Sequence, residues 1–253
     1  SKYIQTVESD MKTTLKLKRT LQALLITGVS IFTLAPALAA DAVKVTADNY
    51  VRAESDFQMK GYVETFKCFG KFYHSRKPYD VKNQVTVRGN RDTLYSFGVF
   101  DLTSPLTVTL PDTKGRYQSL MVVNQDHSIA AAYGPKTVTL TQDKVGTRYV
   151  ILTVRTFADP NDEADMKKAF QLQDAVRVEQ SDIGKLEVPD WKKEEVEKMR
   201  DTINVVAATV TDSSKMFGRK EDLDPVYWML GAALGWGGLP AEAATYVNVV
   251  PEN

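Results

Sequence analysis

The sequence has 253 residues, of which 43% are hydrophobic and 25% are charged, a balance typical of globular proteins. Its 32 basic and 32 acidic side chains give a formal net charge of zero, which excludes the strongly basic composition of nucleic-acid-binding proteins. We therefore expect a globular chain with no nucleic-acid partner.

The first 39 residues have the pattern of a bacterial secretory signal. Met11 is followed by basic residues and by an apolar run over residues 21–34, and Ala37-Leu-Ala39 supplies a small-x-small cleavage site. The alternative, a transmembrane anchor, needs about 20 apolar residues, but Thr27, Ser30 and Thr33 interrupt this run and Pro36 follows it. We expect cleavage between Ala39 and Ala40, a periplasmic or secreted protein, and membrane contact only through the uncleaved signal sequence.

Residues 40–253 are predicted to form a single exported domain. Apolar residues recur at helical spacing between Ala47 and Cys68, with Asp48 or Asn49 as the N-cap, and residues 70–82 have the composition of an irregular loop. A lone cysteine cannot form an internal disulfide, so the domain must depend on its core. The aromatic surroundings of Cys68 favour a buried structural thiol over a nucleophile.

Short runs rich in Val, Thr, Tyr and Phe, separated by turn formers, occupy residues 83–157. They predict strands at residues 84–88, 93–100, 106–110, 117–124, 137–140 and 148–156. Strands at this spacing predict an antiparallel β-sandwich or a jelly-roll-like core.

A helical segment follows over about residues 160–240. Pro160 and its acidic neighbours indicate a helix that extends to about Val176, residues 191–208 form a second helix with a charged face, and Asp224-Pro225 begins a third. Residues 246–250 resemble a final strand. A strand there would lie at a sheet edge, which favours pairing in an oligomer or with a further domain. The predicted fold class is α+β.

Several spaced motifs resemble the bacterial family called domain of unknown function 1254. In chain order they are Arg52-Ala-Glu-Ser-Asp56, Arg88-Gly-Asn-Arg-Asp-Thr-Leu-Tyr-Ser96, Gly98-Val-Phe-Asp101, Asn124-Gln-Asp-His127, Val145-Gly-Thr-Arg148, Phe217-Gly218 and Gly235-Trp-Gly-Gly-Leu-Pro240. The resemblance covers roughly Asp48 to Pro251. It implies an exported β-sandwich with helical additions, commonly followed by a companion domain of unknown function 1214, which would begin beyond Asn253. The sequence is then either a fragment or a short member of the family.

Two polar clusters at strand ends form the candidate site. The ligand-binding candidates are Asn90, Arg91, Asp92, Tyr95 and Asn124. If strands 93–100 and 117–124 share a sheet, Arg91 is placed to clamp an anionic or hydroxylated ligand. Asp126 could then orient His127 as a general base. The alternative, which the sequence favours, is that Arg91 and Asp92 pair within the turn and satisfy backbone groups there.

Other chemistries have little support in the sequence. With two histidines a three-histidine zinc site is impossible, and only a loosely specified set of His127, Asp126 and Asp92 could hold a divalent ion. We expect no metal and no cofactor. Nucleophile motifs are absent, and the glycine-rich segment 235–240 indicates a helix end with Trp236 packed in the core.

The leading hypothesis is therefore an exported envelope module that binds a small polar ligand or an assembly partner. The alternative is a hydrolase or lyase that uses Arg91 for substrate binding and Asp126 and His127 for proton transfer. The sequence decides neither, and it identifies neither the ligand nor the oligomeric state.

Overall fold

The computed structural model describes residues 42–78 and 92–238, which all lie within one compact unit, Ala40–Asn253. The predicted signal sequence, the predicted strands 84–88 and 246–250, and Asn90 and Arg91 lie outside the described residues. The helices are α1 (Tyr50–Phe66), α2 (Gln142–Val145), α3 (Glu163–Asp174), α4 (Lys193–Ala207) and α5 (Pro225–Gly235), with 3₁₀ turns at Ser213–Met216 and Lys220–Asp222. The strands are β1 (Tyr73–His74), β2 (Thr93–Asp101), β3 (Leu106–Thr109), β4 (Gln118–Asn124), β5 (Ile129–Tyr133), β6 (Thr137–Leu140), β7 (Tyr149–Phe157) and β8 (Arg177–Gln180).

Among the described residues, the larger sheet has five strands in the order β1-β2-β7-β4-β5. Each neighbouring pair is antiparallel, so β2 and β4, which both pair with β7, run parallel to each other. The second sheet has the order β6-β3-β8 and is also antiparallel. Neither sheet is closed, and the predicted α+β class is confirmed.

An apolar core joins the two sheets. Because side chains alternate along a strand, Phe100, Leu120 and Leu152 all point to the same face of the larger sheet. They pack in one hydrophobic cluster with Leu106 and Leu140 of the smaller sheet, and all five are buried. The opposite face of the larger sheet packs against α1 and the region around Phe217 and Trp236.

Local sequence explains where α3 and α5 begin. Asp162 caps α3 by accepting hydrogen bonds from the backbone N–H groups of Ala164 and Asp165, and Asp224 caps α5 in the same way, with a proline at the first helical position. Asn49 precedes α1 as predicted, but its side chain accepts from the N–H of Thr46 instead of capping the helix. Of the described helices, none is long and apolar enough to span a bilayer.

Three strands have weak sequence signals and were not predicted. The strand β5 is Ile-Ala-Ala-Ala-Tyr, and alanine is depleted in strands. The strand β8 has one apolar residue in four, and β1 has only two residues inside a segment that resembles a loop. The predicted helix to Val176 ends at Asp174, because β8 begins three residues later to pair with β3.

Candidate functional site

The two predicted polar clusters lie at opposite ends of the larger sheet. Tyr95 pairs with Arg155 of β7, whereas Asn124 pairs with Val150 of β7. Five residues of β7 separate these positions, about 17 Å of strand. The strands do share a sheet, as predicted, but β7 lies between them. Because β2 and β4 run parallel, the start of one and the end of the other cannot meet, and the predicted proximity is not found.

At one end of the sheet, Asp92 and Tyr95 take part in backbone pairing. The carbonyl of Asp92 accepts a hydrogen bond from the N–H of Ala158 at 2.9 Å, and the carbonyl of Tyr95 accepts one from the N–H of Ser75 at 2.8 Å. The ring of Tyr95 lies beside Arg155. Asp92 and Asp126 are therefore too far apart to hold one divalent ion. The described residues contain no cluster of three or more metal-ligating side chains.

At the other end, Asn124 organises the turn that follows β4. Its Oδ1 accepts hydrogen bonds from the backbone N–H groups of Asp126 and Ser128, both at 2.9 Å, and its Nδ2 donates to the carbonyl of Val145 at 2.7 Å. An asparagine that forms this many local bonds fixes the backbone of the turn. The geometry supports a positioning role for Asn124.

The Asp126 carboxylate pairs with two basic side chains and not with the neighbouring His127. Its carboxylate accepts from Nε of Arg52 at 3.0 Å and lies 3.7 Å from Nζ of Lys220. Its backbone carbonyl accepts from the indole N–H of Trp228 at 2.8 Å. These contacts tie the turn to α1, to the 3₁₀ turn Lys220–Asp222 and to α5.

His127 is fully buried and has a left-handed backbone, with φ of +54°. The backbone N–H of Gly237 donates to its Nε2 at 2.9 Å, so this nitrogen carries no proton. Its ring lies near Phe217 and Trp236, and burial lowers its pKa to about 4. None of the hydrogen bonds among the described residues joins the imidazole to Asp126, so this geometry gives no support to the predicted general base.

The buried imidazole predicts a specific pH dependence of stability. A folded-state pKa near 4, below the ordinary value of about 6.5, means that the unfolded chain binds a proton first as pH falls. The free energy of unfolding should therefore decrease by about 3 kcal/mol between about pH 6.5 and pH 4. Urea unfolding at half-unit pH steps measures this, and His127→Asn, which tolerates positive φ, should remove most of the slope.

The second histidine provides the matched control. His74 is only partly buried, and its Nδ1 is 2.8 Å from Oγ of Ser96. His74→Asn should keep most of the pH dependence. A slope that survives in His127→Asn would show that other groups cause it.

A cleft of about 610 Å³ begins at the same turn. It opens between β5 and β6, the edge strands of the two sheets. Its apolar wall is formed by Leu120, Val122, Val138, Leu140 and Val145, together with Ala130 and Ala132 of β5. Of the predicted candidates, Asn124 and Asp126 line this cleft. No sequence pattern predicts this cleft, because its two walls come from different sheets.

The mouth of the cleft is polar and electrically balanced. Its charged residues are Asp126, Asp143, Lys144, Arg219, Lys220 and Glu221. Several of these charges are paired: Lys220 lies near Asp126, and Arg219 forms an ion pair with Glu221. A cleft with an apolar wall and a rim of mixed charge suits a molecule with an apolar body and an uncharged polar head.

Comparison with protein families identifies part of the chain. The family model described as "Protein of unknown function (DUF1254)" matches residues 69–144. This segment is a DUF1254 segment. The predicted family is confirmed, although the match is shorter than the span of Asp48 to Pro251 over which the motifs resemble the family.

One solved structure supports the fold of the chain. The chain is similar to the VPA0106 protein from Vibrio parahaemolyticus, with a TM-score of 0.53 and 18% sequence identity. The similarity covers 76% of this chain and 66% of that protein. No curated protein matches the sequence. At this level of identity the similarity is evidence for the fold alone.

The motifs that resemble the DUF1254 family meet in a buried polar network. Asp56 of α1 accepts hydrogen bonds from Nε2 of Gln125 at 2.5 Å and from the indole N–H of Trp191 at 2.9 Å. The neighbouring Ser55 accepts from the indole N–H of Trp236 at 2.9 Å. Burial raises the pKa of Asp56, and the two hydrogen bonds lower it only in part. This network holds α1, the turn after β4 and the end of α5 together.

Proposed function

We propose that this chain is an exported binding module of the bacterial envelope that takes a small molecule into the cleft between its sheets. The proposal of export comes from the secretory pattern before residue 40. We also propose that the two sheets form a β-sandwich, which is supported by the single hydrophobic cluster that joins them.

The cleft is the observation that carries the proposal. Its volume of about 610 Å³ falls within the range of about 300–1,000 Å³ typical of small-molecule sites. In a sandwich whose sheets meet at their edges, apolar side chains would normally close this gap. Here the two β5 residues that share a face with Leu120 and Val122 are alanines, Ala130 and Ala132, and they leave the space open.

The lining favours a small amphipathic ligand over a small ion. The six charged groups at the mouth comprise three acids and three bases, so the cleft has no net charge with which to attract an ion. Hydrogen-bonding groups on Asn124 and Ser128 line the same end. A hydroxyl-rich head at the mouth and a short apolar body against Val122 and Val138 would match this arrangement.

Alkyl glycosides test this chemistry, because their two halves can be offered separately. We expect hexyl β-glucoside, below its micelle concentration, to raise the melting temperature, and glucose or hexanol alone to have much less effect. Ala130→Leu should weaken binding at least tenfold by filling the cleft. Ala130 is exposed on an edge strand, so the change in stability itself should be small. Calorimetric titration measures both results.

Ala131→Leu is the matched control, since it has the same residue change one position further along β5. Ala131 pairs with Met121, whose side chain belongs to the opposite face of the sheet. This variant should bind the glycoside like the parent protein. If Ala130→Leu binds the glycoside as tightly as the parent protein does, the glycoside site lies outside the cleft. If the parent protein does not bind the glycoside, the proposed ligand class is wrong.

A further inference from the structure

The opposite face of the larger sheet holds an arginine in an unusual environment. Arg155 of β7 is 2% exposed, and its Nε, Nη1 and Nη2 have no hydrogen-bond partner among the described residues. The other arginines of this sheet's ends have carboxylate partners: Arg148 pairs with Asp101 and Arg116 with Asp165. Buried charges are ordinarily paired, so a guanidinium with no acceptor among the described residues marks a place where a bound anion would be stabilised.

Aromatic rings flank this guanidinium on both sides. Its carbon Cζ lies 5.8 Å from the centre of the Tyr95 ring and 5.9 Å from that of Tyr117. Both distances allow a cation–π interaction, which compensates part of the lost hydration of the charge. The rings leave the in-plane N–H donors of the guanidinium unsatisfied. A carboxylate is the group that these donors match, since it can accept two parallel hydrogen bonds.

A second cavity, of about 270 Å³, lies on the same face of the sheet. Two residues of its wall, Tyr95 and Thr153, are the nearest neighbours of Arg155 on this face. Tyr95 pairs directly with Arg155 from β2, and Thr153 lies two residues before Arg155 on β7. The cavity is smaller than most drug-sized sites, so it suits a molecule with a single ring.

The lining of this cavity is aromatic and carries no negative charge. Five rings contribute: Tyr62, Phe66, Tyr73, Tyr95 and Phe97. The ring of Phe97 makes edge-to-face contacts with Tyr62 and Phe66, with distances between ring centres of 5.1 Å and 4.6 Å. The one charged residue that lines the cavity is Lys77, which is exposed. An aromatic wall with Lys77 at its edge, and with Arg155 next to Tyr95 and Thr153 on the same face of the sheet, favours an aromatic anion over a neutral or cationic ligand.

We propose that Arg155 and this aromatic cavity form a second binding site, for a small aromatic carboxylate. The carboxylate accepts hydrogen bonds from the guanidinium while the ring packs against Tyr95 and Phe97. The site lies on the face of the sheet away from the inter-sheet cleft, and it does not depend on the function proposed for that cleft.

Benzoate tests the proposal, with benzamide as its neutral counterpart and acetate as an anion without a ring. At about a hundredfold excess over the dissociation constant, benzoate should raise the melting temperature of the protein by several degrees, and the other two compounds should have little effect. An effect of benzamide equal to that of benzoate would overturn the requirement for a carboxylate.

Arg155→Met separates a ligand-binding arginine from a structural one. It should weaken benzoate binding by about 10- to 100-fold, the contribution typical of hydrogen bonds to a charged group. The melting temperature without ligand should stay the same or rise, because replacing an uncompensated buried charge with an apolar side chain is commonly neutral or stabilising.

Arg116→Met is the control, because Nη1 of Arg116 already donates to Asp165 at 2.8 Å. It should melt at a lower temperature and bind benzoate like the parent protein. The proposal is overturned if benzoate has no effect on the parent protein, or if it binds Arg155→Met equally well. A fall in melting temperature for Arg155→Met without ligand would show that the chain itself satisfies this guanidinium, and would also overturn it.

Discussion

Replacing Asp101 with asparagine is expected to lower the free energy of unfolding by about 3 kcal/mol. Asp101 is fully buried at the end of β2, where its carboxylate accepts from Nη2 of Arg148 at 2.8 Å and from the backbone N–H groups of Thr103 and Lys185. The variant loses the charge and leaves donors facing an amide nitrogen. The Arg148 side chain is 34% exposed and can turn towards water, which keeps the cost at the lower end of the range for buried pairs.

The same pair predicts a loss of stability in acid. Burial alone would raise the pKa of Asp101, but the Arg148 guanidinium and the two backbone N–H groups more than offset this and lower it. The contribution is therefore fully present above the ordinary pKa of about 3.9 and is lost as pH falls through the lower folded value. Asp101→Asn should lack this acid-sensitive component.

Urea unfolding of Asp101→Asn and of Asp112→Asn compares a buried with an exposed pair. Asp112 and Lys114 form an ion pair with side chains 57% and 86% exposed, so solvent screening should leave this pair with little effect on the free energy of unfolding. A cost for Asp101→Asn no larger than that of Asp112→Asn would show that the buried pair contributes little to the fold.

Sequence patterns predicted the elements that carry strong local signals. Asp224-Pro225 places a cap and a proline at the start of α5, and the apolar run of β7 has the composition of a buried strand. In contrast, β5 is an edge strand of alanines whose position depends on its pairing with β4. No local signal could have revealed it, because the stability of such a strand comes from its partner.

The candidate site, too, was predicted only in part. The motifs identified residues that belong together, since Asp56 contacts Gln125 and Asp101 contacts Arg148, but they did not show the pairing. Whether Tyr95 and Asn124 lie close together depends on the order and direction of β2, β7 and β4 in the sheet. The spacing of motifs along the sequence does not determine that order.

The alternation of side chains along β7 was sufficient to identify Arg155 as unusual. Residues 149, 151, 153 and 155 occupy one face of β7, and three of them are Tyr, Ile and Thr, so the fourth places a cation on a largely buried face. Two features could not be read from the strand: the flanking rings of Tyr95 and Tyr117 come from other segments, and the lack of an acceptor is a property of the packed structure.

Leu152→Ala is expected to lower the free energy of unfolding by about 2–5 kcal/mol, the range for leucine truncation in a well-packed core. Leu152 is fully buried in the cluster between the sheets and pairs with Gly98 on one side and Val122 on the other. An ideal Cβ on Gly98 would lie 2.5 Å from the carbonyl oxygen of Lys71. Because this strand neighbour has no side chain to move inwards, the cavity left by the truncation should stay largely unfilled.

Leu234→Ala, at a position 44% exposed on α5, makes the same chemical change outside the core and should cost less than about 1 kcal/mol. The comparison by urea unfolding tests the proposed sandwich directly, because a leucine between two packed sheets must cost more than one at the surface. If both variants lose the same small amount, the sheets do not share a tightly packed core. If Leu152→Ala instead shows two separate transitions, the smaller sheet unfolds independently, and the cleft between the sheets would then depend on a weak interface.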